Sequence, residues 1–561
     1  MKTKYLYLLS KYLLAAVVAF TAFACSDDDD NIDTSALTLV SNAPEDGAYI
    51  YSNDTIVLTF SKAVRQAEGS SITINNVDTR IVINNEKVYF HVSAPTASSV
   101  TLNIPSGALT DRNGNQTFAG ITLNYNIEVR KQAVMVVDAN GNGDYTTVQD
   151  AIRDVPSSND APYLIFVANG TYEELVDINK PYVHLIGQDW NNTIITYKTC
   201  RLSESDYNKE LAKAEANRSF NPTAAWNNSS RNTSNGNNIP EGRDGATVIT
   251  ALNFYAENIS FENKWGVDEQ TGPQAEAIHT RADRSAFYHC KFRGFQDTWW
   301  TRNYTSGSSE NINMRNYADN CWIEGGTDYV FGGGNLLIEN STFYNVGQQN
   351  YITAGSHMAS TQWGYVFRNC IVSGNDRAAN GIIYFGRTWQ QRPMTVFINT
   401  SCSLPICDEG WYTMSALPKL YAEYNTTNQG WPVDTSKRRT TYDVSKSYSE
   451  SGVDEKNVPY TGPTVLTEAE ANERNYENII QADDNWNPRS YYEKLPDPTF
   501  ALNDVTLSWT DNINAVCYLI FKNGNYFGKT TETSYLVDDN SASYTVKAVN
   551  RFGSLSNNET N

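Results

Sequence analysis

Tyr255-Ala256-Glu257-Asn258-Ile259-Ser260-Phe261 is a short apolar strand broken by one polar corner, and the same figure returns four times farther along the chain. It recurs at Phe287-Tyr288-His289-Cys290-Lys291-Phe292, Tyr317-Ala318-Asp319-Asn320-Cys321-Trp322-Ile323, Leu337-Ile338-Glu339-Asn340-Ser341-Thr342-Phe343 and Val366-Phe367-Arg368-Asn369-Cys370-Ile371-Val372. The corner positions 258, 289, 320, 340 and 369 step by 31, 31, 20 and 29 residues. A unit of about 20–30 residues with little helix between its strands marks a solenoid, because each coil buries its apolar face only against its neighbours. A right-handed parallel β-helix is therefore expected over residues 133–495. Asparagine suits the corners, since it tolerates left-handed dihedrals and bonds nearby backbone groups. That structural role accounts for most polar residues here before any chemistry is invoked.

The ends read differently. Residues 37–130 carry β-branched runs such as Ile56-Val57-Leu58-Thr59-Phe60 between Asn, Gly, Asp and Pro turns, the pattern of a small β-sandwich. Ser41-Asn42-Ala43-Pro44-Glu45-Asp46-Gly47 and Leu58-Thr59-Phe60-Ser61 resemble bacterial immunoglobulin-like modules. Residues 498–561 repeat the pattern, with Val505-Thr506-Leu507-Ser508-Trp509, a hairpin across Asn523-Gly524, and Tyr544-Thr545-Val546-Lys547-Ala548-Val549. This tail resembles a fibronectin type III module. Both end modules read as spacers or weak binders, so the fold class is all-β with two small sandwiches flanking the solenoid. Between them, 201–244 breaks the solenoid rhythm and reads as a long surface loop or lid, and Thr467-Glu468-Ala469-Glu470 reads as a capping box opening a helix of about a dozen residues.

Lys2, Lys4 and Lys11 precede an apolar stretch from Tyr12 to Ala24, too short for a comfortable membrane span and suited to a signal peptide over 1–24. Ala22-Phe23-Ala24-Cys25 resembles a lipoprotein cleavage box, which makes Cys25 the lipidation candidate. Asp27 to Asp30 then form an acidic tether within 25–36. These features imply an extracytoplasmic protein, held at the outer membrane or cell surface through a lipid anchor or else secreted or periplasmic. Disulfides are permitted there, and seven cysteines follow Cys25.

Several chemistries are excluded. With 43 Lys and Arg against 63 Asp and Glu the chain of 561 residues carries a formal charge of −20, so diffuse capture of nucleic acid is not expected. Five histidines, His91, His184, His279, His289 and His357, form no HExxH pair or close cluster. There is no GxSxG elbow, GxxxxGK[ST] loop, CxxC pair or GxGxxG after a strand. No metal or other cofactor is expected.

Carboxylates in amide-rich, aromatic surroundings remain. Asp297 lies in Gly294-Phe295-Gln296-Asp297-Thr298-Trp299-Trp300 and Asp328 in Glu324-Gly325-Gly326-Thr327-Asp328-Tyr329-Val330-Phe331-Gly332. They are 31 residues apart, one of the repeat steps, so a β-helix stacks them on adjacent coils. Two neighbouring carboxyl groups resist ionising together, leaving one as an acid and the other as a nucleophile or base. Arg387, in Phe385-Gly386-Arg387-Thr388-Trp389, supplies a fixed charge to aim one of them. Gln274 and Gln296 offer amide N–H donors to a developing oxyanion.

At these residues the middle region resembles the pectin methylesterases, or pectinesterases. Gly170-Thr171-Tyr172-Glu173-Glu174, Gln274-Ala275-Glu276-Ala277-Ile278, Gln296-Asp297-Thr298, Asp328 to Gly332 and Gly386-Arg387-Thr388-Trp389 match the family's motifs in order, and Val137 to Gln149 matches its opening. The resemblance implies a right-handed parallel β-helix that hydrolyses the C6 methyl ester of galacturonate units in methylesterified homogalacturonan, without a metal. It assigns Asp328 as nucleophile and Asp297 as acid and then base. Gln274 and Gln296 become the oxyanion donors, Arg387 the group orienting Asp328, and Trp389, Phe331, Trp299 and Thr298 the substrate contacts. A disulfide between Cys290 and Cys321 is implied as one possibility against two buried thiols. Tyr329, Thr388 and Trp299 depart from the common Phe, Pro and Leu of the family. A monomer is expected. The rival readings are a β-helix lyase or galacturonase, which would cut the chain, and a non-catalytic pectin-binding surface protein.

Overall fold

The computed structural model describes residues 35–51, 55–79, 81–92, 99–128, 131–159, 161–199, 245–272, 274–302 and 314–557. The expected signal segment, Cys25, most of the acidic tether and the whole of the 201–244 loop lie outside them. The chain divides into two compact units, one reaching to Asn126 and the other running from Ile127 to the C-terminus.

The first unit is built of antiparallel sheets. Four strands, Leu39–Ala43, Thr55–Phe60, Lys87–His91 and Ile81–Asn84, form one sheet, and Ile121–Glu128 with Ser99–Ile104 lead a five-stranded second. Thr55–Phe60 alternates exposed and buried side chains, as a half-solvated strand must.

The second unit contains the solenoid. Its coils stack into three long sheets of 10, 10 and 8 strands, parallel apart from the antiparallel strand Trp431–Pro432 that closes the second. The first sheet runs from Met135–Val137 to Leu420–Tyr424, and the third from Val176–Ile178 to Trp411–Tyr412. This is the expected parallel β-helix. Its corners are built as the repeat requires: Asn258, His289, Asn320, Asn340 and Asn369 all have positive φ, between 49° and 57°. Asn399 and Asn425 extend the column. Side chains link the corners, with Asn425 Nδ2 donating to Asn399 Oδ1 at 2.9 Å and Asn399 Nδ2 to Asn369 Oδ1 at 3.1 Å. Inside, Ile165, Phe261, Phe292, Trp299, Ile323, Phe343, Phe367, Phe397 and Trp411 belong to one continuous core.

Two segments cover the outside of the first sheet. Leu466, Tyr476, Ile479, Ile480 and Trp486 pack on Tyr255, Tyr317, Leu337 and Val366, and Arg315, braced by Asp283 of the neighbouring coil at 2.9 Å, ties this segment down through Asp484 at 2.6 Å. The capping box at Thr467 and Glu470 is present, but the helix it opens spans only Glu468–Glu473. Asn475 is the reason: its side chain accepts from Asn478 N at 2.8 Å and donates to Asn472 O at 3.0 Å, offering the backbone an alternative to the next helical turn.

The C-terminal module is two three-stranded antiparallel sheets around Leu507, Tyr518, Ile520, Val546 and Ala548. It corrects the spacer reading. Val516, Leu519, Phe521 and Val549 pack on Val134, Val136, Leu164 and Phe166 of the first coils. His184 Nδ1 meets Phe552 O at 2.9 Å, Lys529 Nζ donates to Val134 O at 2.7 Å, and Lys494 reaches the buried Glu257. The strand Ala515–Lys522 is buried on both faces, which its unbroken run Ala515-Val516-Cys517-Tyr518-Leu519-Ile520-Phe521 encodes.

Candidate active site

The third sheet carries the chemistry. Its residues alternate between the core and an outer face. Ile278, Trp299, Val330 and Trp411 point inward, so their neighbours His279, Trp300, Phe331, Ala354, Arg387 and Tyr412 form a register row on the outside. Rings line that row: His279 stacks on Trp300 at 4.0 Å, Trp300 on Phe331 at 5.4 Å, and Phe331 meets Trp389 edge-on at 5.7 Å.

Asp297 and Asp328 sit where successive coils enter this sheet. Both have positive φ, 66° and 52°, a left-handed corner that Asp tolerates better than most residues. Asp297 N donates to Thr327 O at 3.0 Å and Gln296 bridges Thr327, so the two aspartates occupy matching places on adjacent coils. At Asp328 the pairing slips: Thr327 faces Tyr351 but Val330 faces Thr353, so one extra residue bulges out of the strand. The close packing beneath needs Gly325, where a Cβ would lie 2.2 Å from Tyr329 Cβ.

Arg387 grips Asp328 through two hydrogen bonds, Nε to Oδ1 at 2.7 Å and Nη2 to Oδ2 at 2.6 Å. The planar fork fixes the carboxylate's orientation as a lysine would not. Burial pushes the Asp328 carboxyl above its ordinary value, and Arg387 works against that rise by bonding and by charge. For Arg387 burial pulls downward, yet Asp328 first and then Tyr351 and Asp297 leave it raised and permanently charged. Gly386 permits the approach of this strand, since a Cβ there would lie 2.0 Å from Thr353 Oγ1.

Gln274 and Gln296, both half-buried, also stand on adjacent coils, joined by Ala275 N donating to Gln296 O at 3.1 Å. Gln296 Oε1 lies 2.8 Å from where a side chain on Gly272 would begin, so its amide turns toward the Gln274 coil. Asp297, Asp328, Arg387, Gln274 and Gln296 thus gather at one end of the third sheet, with Trp389 half-buried beside them and Phe331, expected as a substrate contact, buried between Trp300 and Trp389.

Two expectations are corrected. Trp299 is fully buried, stacked on Phe292 at 4.7 Å with Nε1 on Thr280 Oγ1 at 3.3 Å, so it packs the core and does not meet substrate. Thr298 is likewise buried and donates Oγ1 to Glu324 O at 2.9 Å. For Cys290 and Cys321, left open between a disulfide and two buried thiols, the structure has the two buried thiols. They lie on adjacent coils, and each Sγ donates instead to a carbonyl two residues earlier, Tyr288 O at 3.4 Å and Asp319 O at 3.3 Å.

The family departures have local compensations. Tyr329 keeps its hydroxyl satisfied by Asn345 Oδ1 at 3.2 Å, and Thr388 Oγ1 accepts from Met414 N at 2.9 Å, bracing the turn after Arg387. Sequence reasoning missed Tyr351, Tyr384 and Tyr412, which crowd beside Arg387. Their spacings of 33 and 28 residues are close to the repeat step and were the available signal.

The pectinesterase family model matches residues 134–219 and 228–461. The chain belongs to the pectinesterase family. A bacterial Ig-like domain model matches residues 33–148. Pectinesterase 31 of Arabidopsis thaliana is 31% identical over 279 residues, covering 49% of this chain and 75% of the relative. Probable pectinesterase 49 of the same plant is 30% identical over 306 residues, covering 53% and 71%. Among solved structures, carrot pectin methylesterase is 21% identical with a TM-score of 0.48, covering 66% of this chain and 99% of that one. The pectinesterase match spans the solenoid and every residue of the site just described.

Proposed function

We propose that this pectinesterase removes the C6 methyl ester of galacturonate units in pectin, releasing methanol, with Asp328 as nucleophile and Asp297 as acid and base. The observation that carries the reading is the two-pronged Arg387–Asp328 pair one coil from Asp297. Arg387 holds the Asp328 carboxylate ionised and aimed, and one oxygen attacks the ester carbonyl. Amide N–H groups of Gln274 and Gln296 donate to the oxyanion that forms. As the tetrahedral adduct collapses, Asp297 gives its proton to the departing methanol. Its carboxylate then takes a proton from water, which attacks the acyl group, frees the sugar acid and restores Asp328. Trp389 presents its ring to the sugar, with the buried Phe331 packed behind it.

The signal-like residues 1–24 and Cys25 support an extracytoplasmic site of action, with a lipid-anchored or secreted chain acting as a monomer. No helix among the described residues is long and apolar enough to cross a membrane. The test is methanol release from highly methylated pectin, with polymer length followed in parallel. Methanol and acid with unchanged length are expected, and lost when Asp328→Ala retains pectin binding. Chain scission, unsaturated sugars, or no methanol from the unmutated chain would overturn the reading.

A further inference from the structure

We propose that Tyr351 is a positioning residue for this reaction, its ring forming the bed on which the Arg387 guanidinium is held in line with Asp328. The proposal rests on the roles given above to Asp328 and Arg387. Its starting point is a mismatch of register. Arg387 is in register with Ala354 and Phe331, whereas Asp328 lies three residues before Phe331 and two coils away. To reach it, the arginine side chain must lean back along the strands and across the intervening coil. Ala354, lying between Arg387 and Phe331, carries only a methyl group and leaves that path open.

What the side chain crosses is Tyr351, which pairs with Thr327 on one side and Tyr384 on the other. The guanidinium carbon lies 4.5 Å from the Tyr351 ring centroid, well inside the range in which a cation is drawn to a ring face. Tyr351 is 6% exposed, so water does little to screen that attraction. It is also braced. Tyr384 stacks on it at 5.4 Å with planes 15° apart, and Tyr412 meets both rings edge-on at 5.3 and 5.4 Å. From inside the coil, Tyr421 Oη donates to Arg387 O at 2.9 Å and pins the backbone end of the same residue. The long arginine side chain is thereby fixed at its root, along its length and at its tip.

The Tyr351 hydroxyl has no part in this. Burial is the main influence pushing it up to about 12, so it stays protonated throughout the working range. What matters is the electron-rich face, and that separates an electrostatic role from simple packing. Without the bed the guanidinium regains rotamers that do not meet Asp328, and the nucleophile is both less well aimed and less well held in its charged form.

The experiment replaces Tyr351 with phenylalanine and then with mono-, di- and trifluorophenylalanine, which weaken the ring face stepwise while nearly preserving its shape. Methanol release is measured against pH for each. Tyr351→Phe is expected to stay within about threefold of the unmutated enzyme, with kcat then falling to about one tenth at the trifluoro ring, KM little changed, and the acid limb moving upward along the series. Equal kcat and an unmoved acid limb across the series would overturn the proposal while leaving the esterase reading intact. The titration of the Asp328 carboxyl is followed in parallel by carbon NMR of aspartate-labelled protein, with Asp328→Asn assigning the resonance. A midpoint rising with fluorination supports the proposal, and a constant one overturns it, whether or not methanol is released.

Discussion

Arg387→Lys isolates what the guanidinium fork contributes. In the native site two charge-assisted bonds, 2.7 and 2.6 Å long, reach the two oxygens of Asp328. An ammonium keeps the charge but can satisfy only one oxygen at a time in that geometry. Losing one charge-assisted bond costs about 1.5–3 kcal/mol, and at about 1.4 kcal/mol per tenfold kcat should fall roughly 10- to 100-fold. The loss should depend on pH. Burial already raises the Asp328 carboxyl and Arg387 opposes that rise, so a weaker partner lets it climb by about one unit for each 1.4 kcal/mol surrendered. Because the nucleophile is the ionised form, activity is present above this midpoint and disappears as pH falls through it. The acid limb of the variant should therefore lie about one to two units higher, and its deficit should be larger at pH 5 than at pH 8. Initial methanol release from methylated pectin across this range, with thermal unfolding as a check on folding, reads both effects. A variant within threefold of the unmutated enzyme, or one equally impaired at every pH, would refute the reasoning.

Asp297→Asn should reduce methanol release by about 10²–10⁴, the usual worth of a positioned acid and base, while the unfolding temperature hardly moves; near-normal turnover would remove Asp297 from the mechanism. Glu174, whose carboxylate accepts Val148 N at 2.8 Å and Gln149 N at 2.9 Å, is pushed by burial up to about 7. A carboxyl raised in the folded state stabilises most below its unfolded value of 4.5 and loses that contribution as pH rises through 7. Glu174→Gln should therefore flatten the fall of thermal stability between about pH 4.5 and 7, and an unchanged slope would contradict it. Cys290, Cys321, Cys370 and Cys402 should resist thiol reagents in the native chain, burial raising each thiol, and should react after denaturation without reductant; a need for reductant would mean a bridge. Truncation before Phe500 should lower the unfolding temperature of the solenoid or make it insoluble, because Val134, Val136, Leu164 and Phe166 lose their cover at about 1.5–3 kcal/mol for each large side chain.

The solenoid was legible because its signal is periodic. The corners at 258, 289, 320, 340 and 369 recur whatever lies between them, and all five take the same left-handed conformation. Asp297, Asp328 and Arg387 were legible through short motifs, which keep a side chain and its immediate supports together in sequence. What sequence could not give is the direction of a side chain set by distant coils. Trp299 and Trp300 are neighbours with the same aromatic chemistry, yet a strand turns one into the core and the other outward. Tyr351 escaped notice because its importance lies in touching Arg387, 36 residues later, across a register that only the stacked strands define. The C-terminal module was misjudged for a related reason: its turn signals are those of any sandwich, and only the two-sided burial of Ala515–Lys522 reveals a permanent seat on the first coils.

A solenoid measures length in whole turns. Asp297, Asp328 and Arg387 come from three different coils, with one intervening coil, that of Tyr351, separating the last two. Each turn advances the chain by about 4.8 Å. Adding or removing a single turn between Asp328 and Arg387 would therefore shift one against the other by more than a hydrogen bond can stretch, whereas a loop thrown outward between strands costs the alignment nothing. Variation in this architecture is free sideways and quantised lengthwise.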